Sequence, residues 1–316
     1  MGEAPEASGL RATFAPWLRL LGRRRGRLVA GTALMALTLF AALGLLALSG
    51  WFITAAGLAG LALAAGLTVS LDVYVPGGGI RFFAVTRTVS RYVERLYNHD
   101  TVLRLLADLR ARLFATLADL DDQALSRRRA SDWLNRLTAD IDTLDALYLR
   151  LMAPPGVALL AIVALTAFLM LWSPAAGLAA LLLLGLAWVW LTLGQARLGM
   201  AASRRQVADL EALRGRLIEQ CQGMAELEAY ASLAGHRRRL ESIESRLLDD
   251  QRRLGRRAAL GSALVNLATG ATLVAVVWLS ALAHASGEVS GPVMVMMTLS
   301  VPAMNEALAM LPPAFT

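Results

Sequence analysis

Arg87, Arg91, Arg95 and His99 recur at four-residue intervals in the segment RTVSRYVERLYNHD, just after an apolar stretch. On a helix that spacing sets three guanidinium groups and an imidazole on one slowly drifting stripe. At membrane depth such a stripe faces a cavity rather than lipid, because ionisable side chains there are costly. The chemistry is that of an anion site with a metal ligand: guanidinium groups pair with carboxylates, and an imidazole nitrogen binds iron. Haem offers both partners. In that reading His99 is the axial ligand, Arg91 or Arg95 holds the propionates, Arg87 lies deeper on the stripe, and Tyr92 packs against or hydrogen-bonds the same ligand. A small anionic thiol such as glutathione is the other occupant, using the arginines without His99. Against both stands a solvated amphipathic helix whose His99 bonds to Asp100 or to a neighbouring helix.

The elements that must position these residues follow from composition. The chain has 316 residues, is 57% hydrophobic and carries a net charge of +7, which points to a polytopic membrane protein. Every basic residue apart from three histidines is arginine, and a phosphate-binding loop of the G-x-x-x-x-G-K-[ST] type needs a lysine. The chain therefore carries no Walker-type ATP site. The arginines cluster beside apolar segments, which fits a membrane surface and the positive-inside bias rather than nucleic acid. Cys221 is the single cysteine, which rules out an intrachain disulfide and disfavours a cysteine zinc site.

Residues 1–16 read as a disordered lead-in, and Phe14 to Arg27 as a basic interfacial helix with no cleavable signal. No charge occurs from Leu28 to Leu71, a run long enough for two spans at about 20 residues each. Hydropathy alone makes it a hairpin; the alternative is one span ending near Thr54 and a second starting near Pro76. Residues 98–150 and 197–257 are long charged helical regions. Between them Pro154 to Trp172 and Pro174 to Gln195 form a tight hairpin, and a last hairpin runs from 258–285 to 292–316. Arginine fills the long regions and is missing from the joining turns, which places the N-terminus and both extensions in the cytoplasm.

Membrane hairpins separated by two long intracellular extensions resemble the transmembrane domain of type I ABC exporters. The segments ALGLLALSGWFI, RTVSRYVERLYNHD, DWLNRLTADIDTLDALYLR and QGMAELEAYA are similar to those of the CydC-type half of heterodimeric CydDC exporters. The resemblance implies an all-α, six-helix membrane domain over residues 17–316. Its spans would fall near 28–54, 76–99, 154–172, 174–195, 258–285 and 292–316. It also implies an inner-membrane location, a CydD-like partner, and ATP bound only by nucleotide-binding domains outside this chain. Coupling segments would lie near Leu120–Arg129 and Gln222–Gly235. The implied work is ATP-driven export serving cytochrome bd assembly, with haem bound through His99 and haem, glutathione or cysteine as cargo. A membrane haem sensor or electron-transfer protein is the reading from another class.

Other residues are weaker candidates. Asp140, Asp142 and Asp145 lack the glycine and terminal glutamate of a calcium loop and read as interfacial. His236 and His284 read as surface residues without a nearby partner, and Met297 or Met304 as a cavity wall. Cys221 has no candidate base, and no catalytic residue emerges.

Overall fold

The computed structural model describes residues 25–119, 121 and 153–314, and every described element is helical. The chain divides into two compact units, Met1–Ala161 and Ile162–Thr316.

In the first unit, α1 (Arg25–Ala64) and α2 (Tyr74–Ala118) form an antiparallel pair. The uncharged run is a single helix, not a hairpin. Rich in alanine and leucine, it continues ten residues past Thr54 before turning at Gly66, whose φ of +83° favours glycine. Asp72 starts α2 by accepting the backbone N–H of Tyr74 at 2.9 Å and of Val75 at 3.3 Å, two donors a helix start leaves unpaired. At about 1.5 Å per residue α1 and α2 are roughly 60 and 67 Å long, twice the hydrocarbon core of a bilayer.

Their register is fixed by close contacts. A Cβ at Gly79 would lie 2.6 Å from Leu48, and one at Gly44 would lie 2.7 Å from the Phe83 ring. Thr38 and Ser90, both buried, share a hydrogen bond of 3.0 Å. Gly31 lies against Asn98, and Arg27 reaches Asp100 and Thr101. Each step back along α1 is matched by an equal step forward along α2. Glycine and small hydroxyl residues at such a seam let two backbones approach, the usual device of helix pairs in lipid.

The second unit is built on α4 (Pro174–Val189), α5 (Gln195–Gln222) and α7 (Leu233–Ala285). Its hairpin with α3 (Ala153–Met170) turns at Ser173, which caps α4, and closes where a Cβ on Gly177 would meet Met170 at 2.4 Å. A π-helical turn, Trp190–Gly194, joins α4 to α5 without a break. The short α6 (Met224–Ala229) fills the segment expected to couple, between Gly223 and the turn at Tyr230–Ser232. The final run is interrupted: α8 (Gly291–Ser300) ends at Pro302, which has no N–H to donate, α9 (Ala303–Leu308) follows, and a 3-10 turn spans Pro312–Ala314. The core gathers Leu184, Leu191, Val265, Val276, Met297, Met304, Leu308 and Leu311, all fully buried.

Five of the described stretches are long and apolar enough to cross a membrane; α2 is not among them, because of its charges. The lead-in, the Leu120–Arg129 segment (apart from Asp121) and Asp140, Asp142 and Asp145 lie outside the described residues.

Candidate functional site

Helical geometry decides what the arginine ladder can do. Successive four-residue steps turn by about 40°, so Arg87 and His99 stand roughly 120° apart around α2. The face of α2 turned to α1 holds Gly79, Phe83, Ser90, Asn98 and Thr101. Arg87 borders that face and Arg91 follows, both half-buried, whereas Arg95 and His99 are exposed. Tyr92, 70% exposed, lies seven residues before His99 and so nearly in line with it. The structure thus brings Tyr92, Arg95 and His99 to one side of the helix and leaves Arg87 at the α1 seam. Along the axis Arg95, Arg91 and Arg87 stand about 6, 12 and 18 Å from His99.

Glu94 accepts the side-chain N–H of Asn98 at 2.7 Å. A second polar group, absent from the sequence reading, lies at the same level. The Arg27 guanidinium forms an ion pair with Asp100, donates to Thr101 Oγ1 at 3.2 Å and stacks 4.9 Å over the Tyr97 ring. Arg104 also donates to Asp100, at 2.9 Å. The available signal was an arginine at the start of the uncharged run and an acid just past the ladder. A two-helix pair brings such ends together.

The donor set on the exposed side fits haem in kind: one imidazole, one guanidinium a turn away, and an aromatic ring in line. Met297 and Met304 are fully buried in the core of the second unit. His284 is not without a partner, since its Nδ1 lies 2.7 Å from the Val289 carbonyl and fastens the turn after α7. His236 is exposed in the first turns of α7. Among the described residues no three His, Cys, Asp or Glu side chains cluster to hold a metal ion.

The arginine-rich halves of α5 and α7 meet through charge. Arg205 binds Asp250 with two bonds of 3.1 Å, and Arg246 reaches Asp209 at 3.6 Å. Asp250 is buried, and its hydrogen bonds from Arg205 hold its carboxyl below the usual carboxylate range. A cavity of about 360 Å³ opens here, lined by Arg205, Asp209, Arg246, Asp249, Asp250 and Arg253. Its cations and carboxylates balance one another, which describes a fastening more than a ligand site.

Comparison with known proteins places this geometry in context. Residues 72–308 match the family model described as the ABC transporter transmembrane region. The Escherichia coli K12 protein named glutathione/L-cysteine transport system ATP-binding/permease protein CydC is 36% identical over 282 residues, covering 87% of this chain and 47% of that protein. The Haemophilus influenzae CydC of the same description is 40% identical over 153 residues, 48% of this chain and 26% of its own length. The Bacillus subtilis CydD is 40% identical over 90 residues, 28% of this chain and 16% of that protein. The chain spans about half the length of the Escherichia coli relative.

Proposed function

The chain belongs to the family of ABC transporter transmembrane regions and is homologous to CydC, and from that premise we propose that it is the membrane part of one half of a heterodimeric, ATP-driven exporter. Its partner in this reading is a CydD-like subunit, and ATP binds on nucleotide-binding domains outside these residues. The cargo or regulator is haem, and the exporter serves cytochrome bd assembly. The observation that carries the haem reading is the exposed alignment of Tyr92, Arg95 and His99 on the side of α2 turned away from α1. When bound, haem supplies an iron that takes an imidazole nitrogen and two carboxylates that pair with guanidinium groups. His99 holds the iron side, Arg95 and then Arg91 stand within one and two turns for the carboxylates, and Tyr92 offers a ring and a hydroxyl. Arg87 serves the α1 seam.

Export would proceed by alternating access. Helices twice as long as a bilayer is thick carry motion from the ATPase domains to the membrane, and the short α6 is the described piece that would dock on them. A second reading keeps the transporter and changes the cargo: the relatives are named for glutathione and L-cysteine, and the arginines bind a thiol's carboxylates without His99. A haem protein that only moves electrons is disfavoured by the other two histidines, one fastened to the Val289 carbonyl and the other on a charged extension.

The test is haem titration of the complete heterodimeric transporter, wild type beside His99→Ala, read by the Soret band. A saturable band lost in the variant supports the assignment. An unchanged band removes His99 from it, and no band in either protein turns the reading to thiols.

A further inference from the structure

Five consecutive residues of α2, Tyr97 to Thr101, occupy more than one full turn, and four of them are committed to α1. Tyr97 carries the Arg27 guanidinium on its ring, and Asp100 and Thr101 take its N–H groups. Asn98 is 3% exposed, and its Oδ1 sits 2.1 Å from where a Cβ on Gly31 would stand. The fifth is His99, which is exposed.

We propose that Arg27 and Gly31 are positioning residues for His99, setting the rotation of α2 about its own axis so that the imidazole faces away from α1. The proposal rests on the haem reading for its purpose, though not for its geometry.

A smooth apolar seam constrains rotation weakly, since methyl groups pack in many arrangements. A planar guanidinium that engages a carboxylate, a hydroxyl and a ring face at once permits one arrangement. Gly31 supplies the other half of the constraint, because only a residue without Cβ admits Asn98 into the seam. Asn98 needs holding: its Nδ2 donates to Glu94, but Oδ1 is buried with no hydrogen-bond partner among the described residues. A buried acceptor without a donor favours turning towards water. That turn would carry His99 towards α1, and the Arg27 grip one turn away opposes it.

The neighbours Val102 and Leu103 report the rotation without touching the grip. Val102 is 3% exposed and Leu103 52%. In the complete heterodimeric transporter with Cys221→Ser, N-ethylmaleimide should label Leu103→Cys about tenfold faster than Val102→Cys. Arg27→Gln should bring the two rates together, and Arg27→Lys should restore part of the difference. Gly31→Ala gives a second, milder route to the same loss. With His99 intact, the Arg27→Gln protein should also bind haem about tenfold more weakly, with a displaced Soret maximum.

If the labelling ratio is unchanged in Arg27→Gln, the positioning role is overturned, whatever the Soret band does. If the ratio collapses while the Soret band keeps its position and affinity, rotation is set as proposed but His99 is not the ligand, and the haem reading fails instead. If the wild-type transporter shows no Soret band, the haem reading falls and the labelling ratio alone decides the geometry.

Discussion

Glycines define what single residues contribute here, because several occupy places where no side chain fits. A Cβ on Gly261 of α7 would stand 2.1 Å from Gln195 Nε2 and 2.9 Å from the Pro312 ring. Gln195 is itself buried, donating to the Arg257 carbonyl at 3.3 Å. Gly261→Ala is expected to destabilise the domain by about 1–3 kcal/mol, the usual cost of overpacking, as read by thermal unfolding in detergent. In a Gln195→Ala background the same change should cost distinctly less, because the clashing amide is gone; equal costs in both backgrounds would show that the contact is relieved some other way. Asp250 supports a pH prediction of definite sign. Arg205 depresses its folded pKa, so the stabilisation is complete above the ordinary carboxylate range and is lost as pH falls through the lower folded value. Amide protection factors, which remove the intrinsic pH dependence of exchange, should therefore stay flat in the charged halves of α5 and α7 from neutral pH down to about 5 and fall only in stronger acid. An Asp250→Asn protein should show low protection throughout. A fall centred near neutrality would point to another group. The ladder residues were legible from spacing alone, whereas Arg27 was not, because its three partners lie seventy or more positions away and only the α1–α2 register brings them near.

Two antiparallel registers organise the elements. In one, contacts run from Leu48–Gly79 to Arg27–Asp100; in the other they run from Gln195–Gly261 through Arg205–Asp250 to Arg246–Asp209. The π-turn at Trp190–Gly194 stands at the head of the second. A π-turn accommodates one residue more than α geometry would, and α-helical neighbours turn by about 100° per residue. Deleting Leu193 should therefore let the turn close into α geometry with α5 keeping its orientation on α4 and Arg205 its pair with Asp250, in place of the rotation a deletion in plain α-helix would cause. Thermal unfolding should then show Arg205→Ala costing as much in the deletion background as in the native one. A diminished coupling would mean that the turn does not absorb the extra residue. Helix content and the hairpin at Ser173 could be read from the sequence, because proline and charge mark them, whereas the break around α6 was expected from the family resemblance alone. The length of α1 could not be read from the sequence. Ala55–Ala64 is as apolar and helix-favouring as the stretch before it, so hydropathy gives no stop signal and the helix runs on past Thr54.

Across the whole molecule, charge separates the ends of the helices. The chain is a multi-pass membrane protein whose arginines gather on the long extensions, while the turns at Ser173 and at Ser286–Ser290 carry no arginine. A membrane that keeps arginine-rich segments on its inner side orients such a chain one way only. Cys221, exposed near the end of α5, is then expected on the cytoplasmic side, and Glu288, exposed in the turn after α7, on the outer side. The separation along α7 supports opposite sides: Leu233 to Ala285 spans about 80 Å, and its charged first half cannot lie in lipid. A membrane-impermeant maleimide should therefore modify Cys221 in inverted vesicles and leave it untouched in intact spheroplasts. In a Cys221→Ser protein carrying Glu288→Cys the pattern should reverse. Labelling of Cys221 from the outside would overturn the orientation and, with it, the placing of α6 against cytoplasmic ATPase domains. The reciprocal pair makes the result independent of reagent access, since one position must gain whatever the other loses when the membrane is turned inside out.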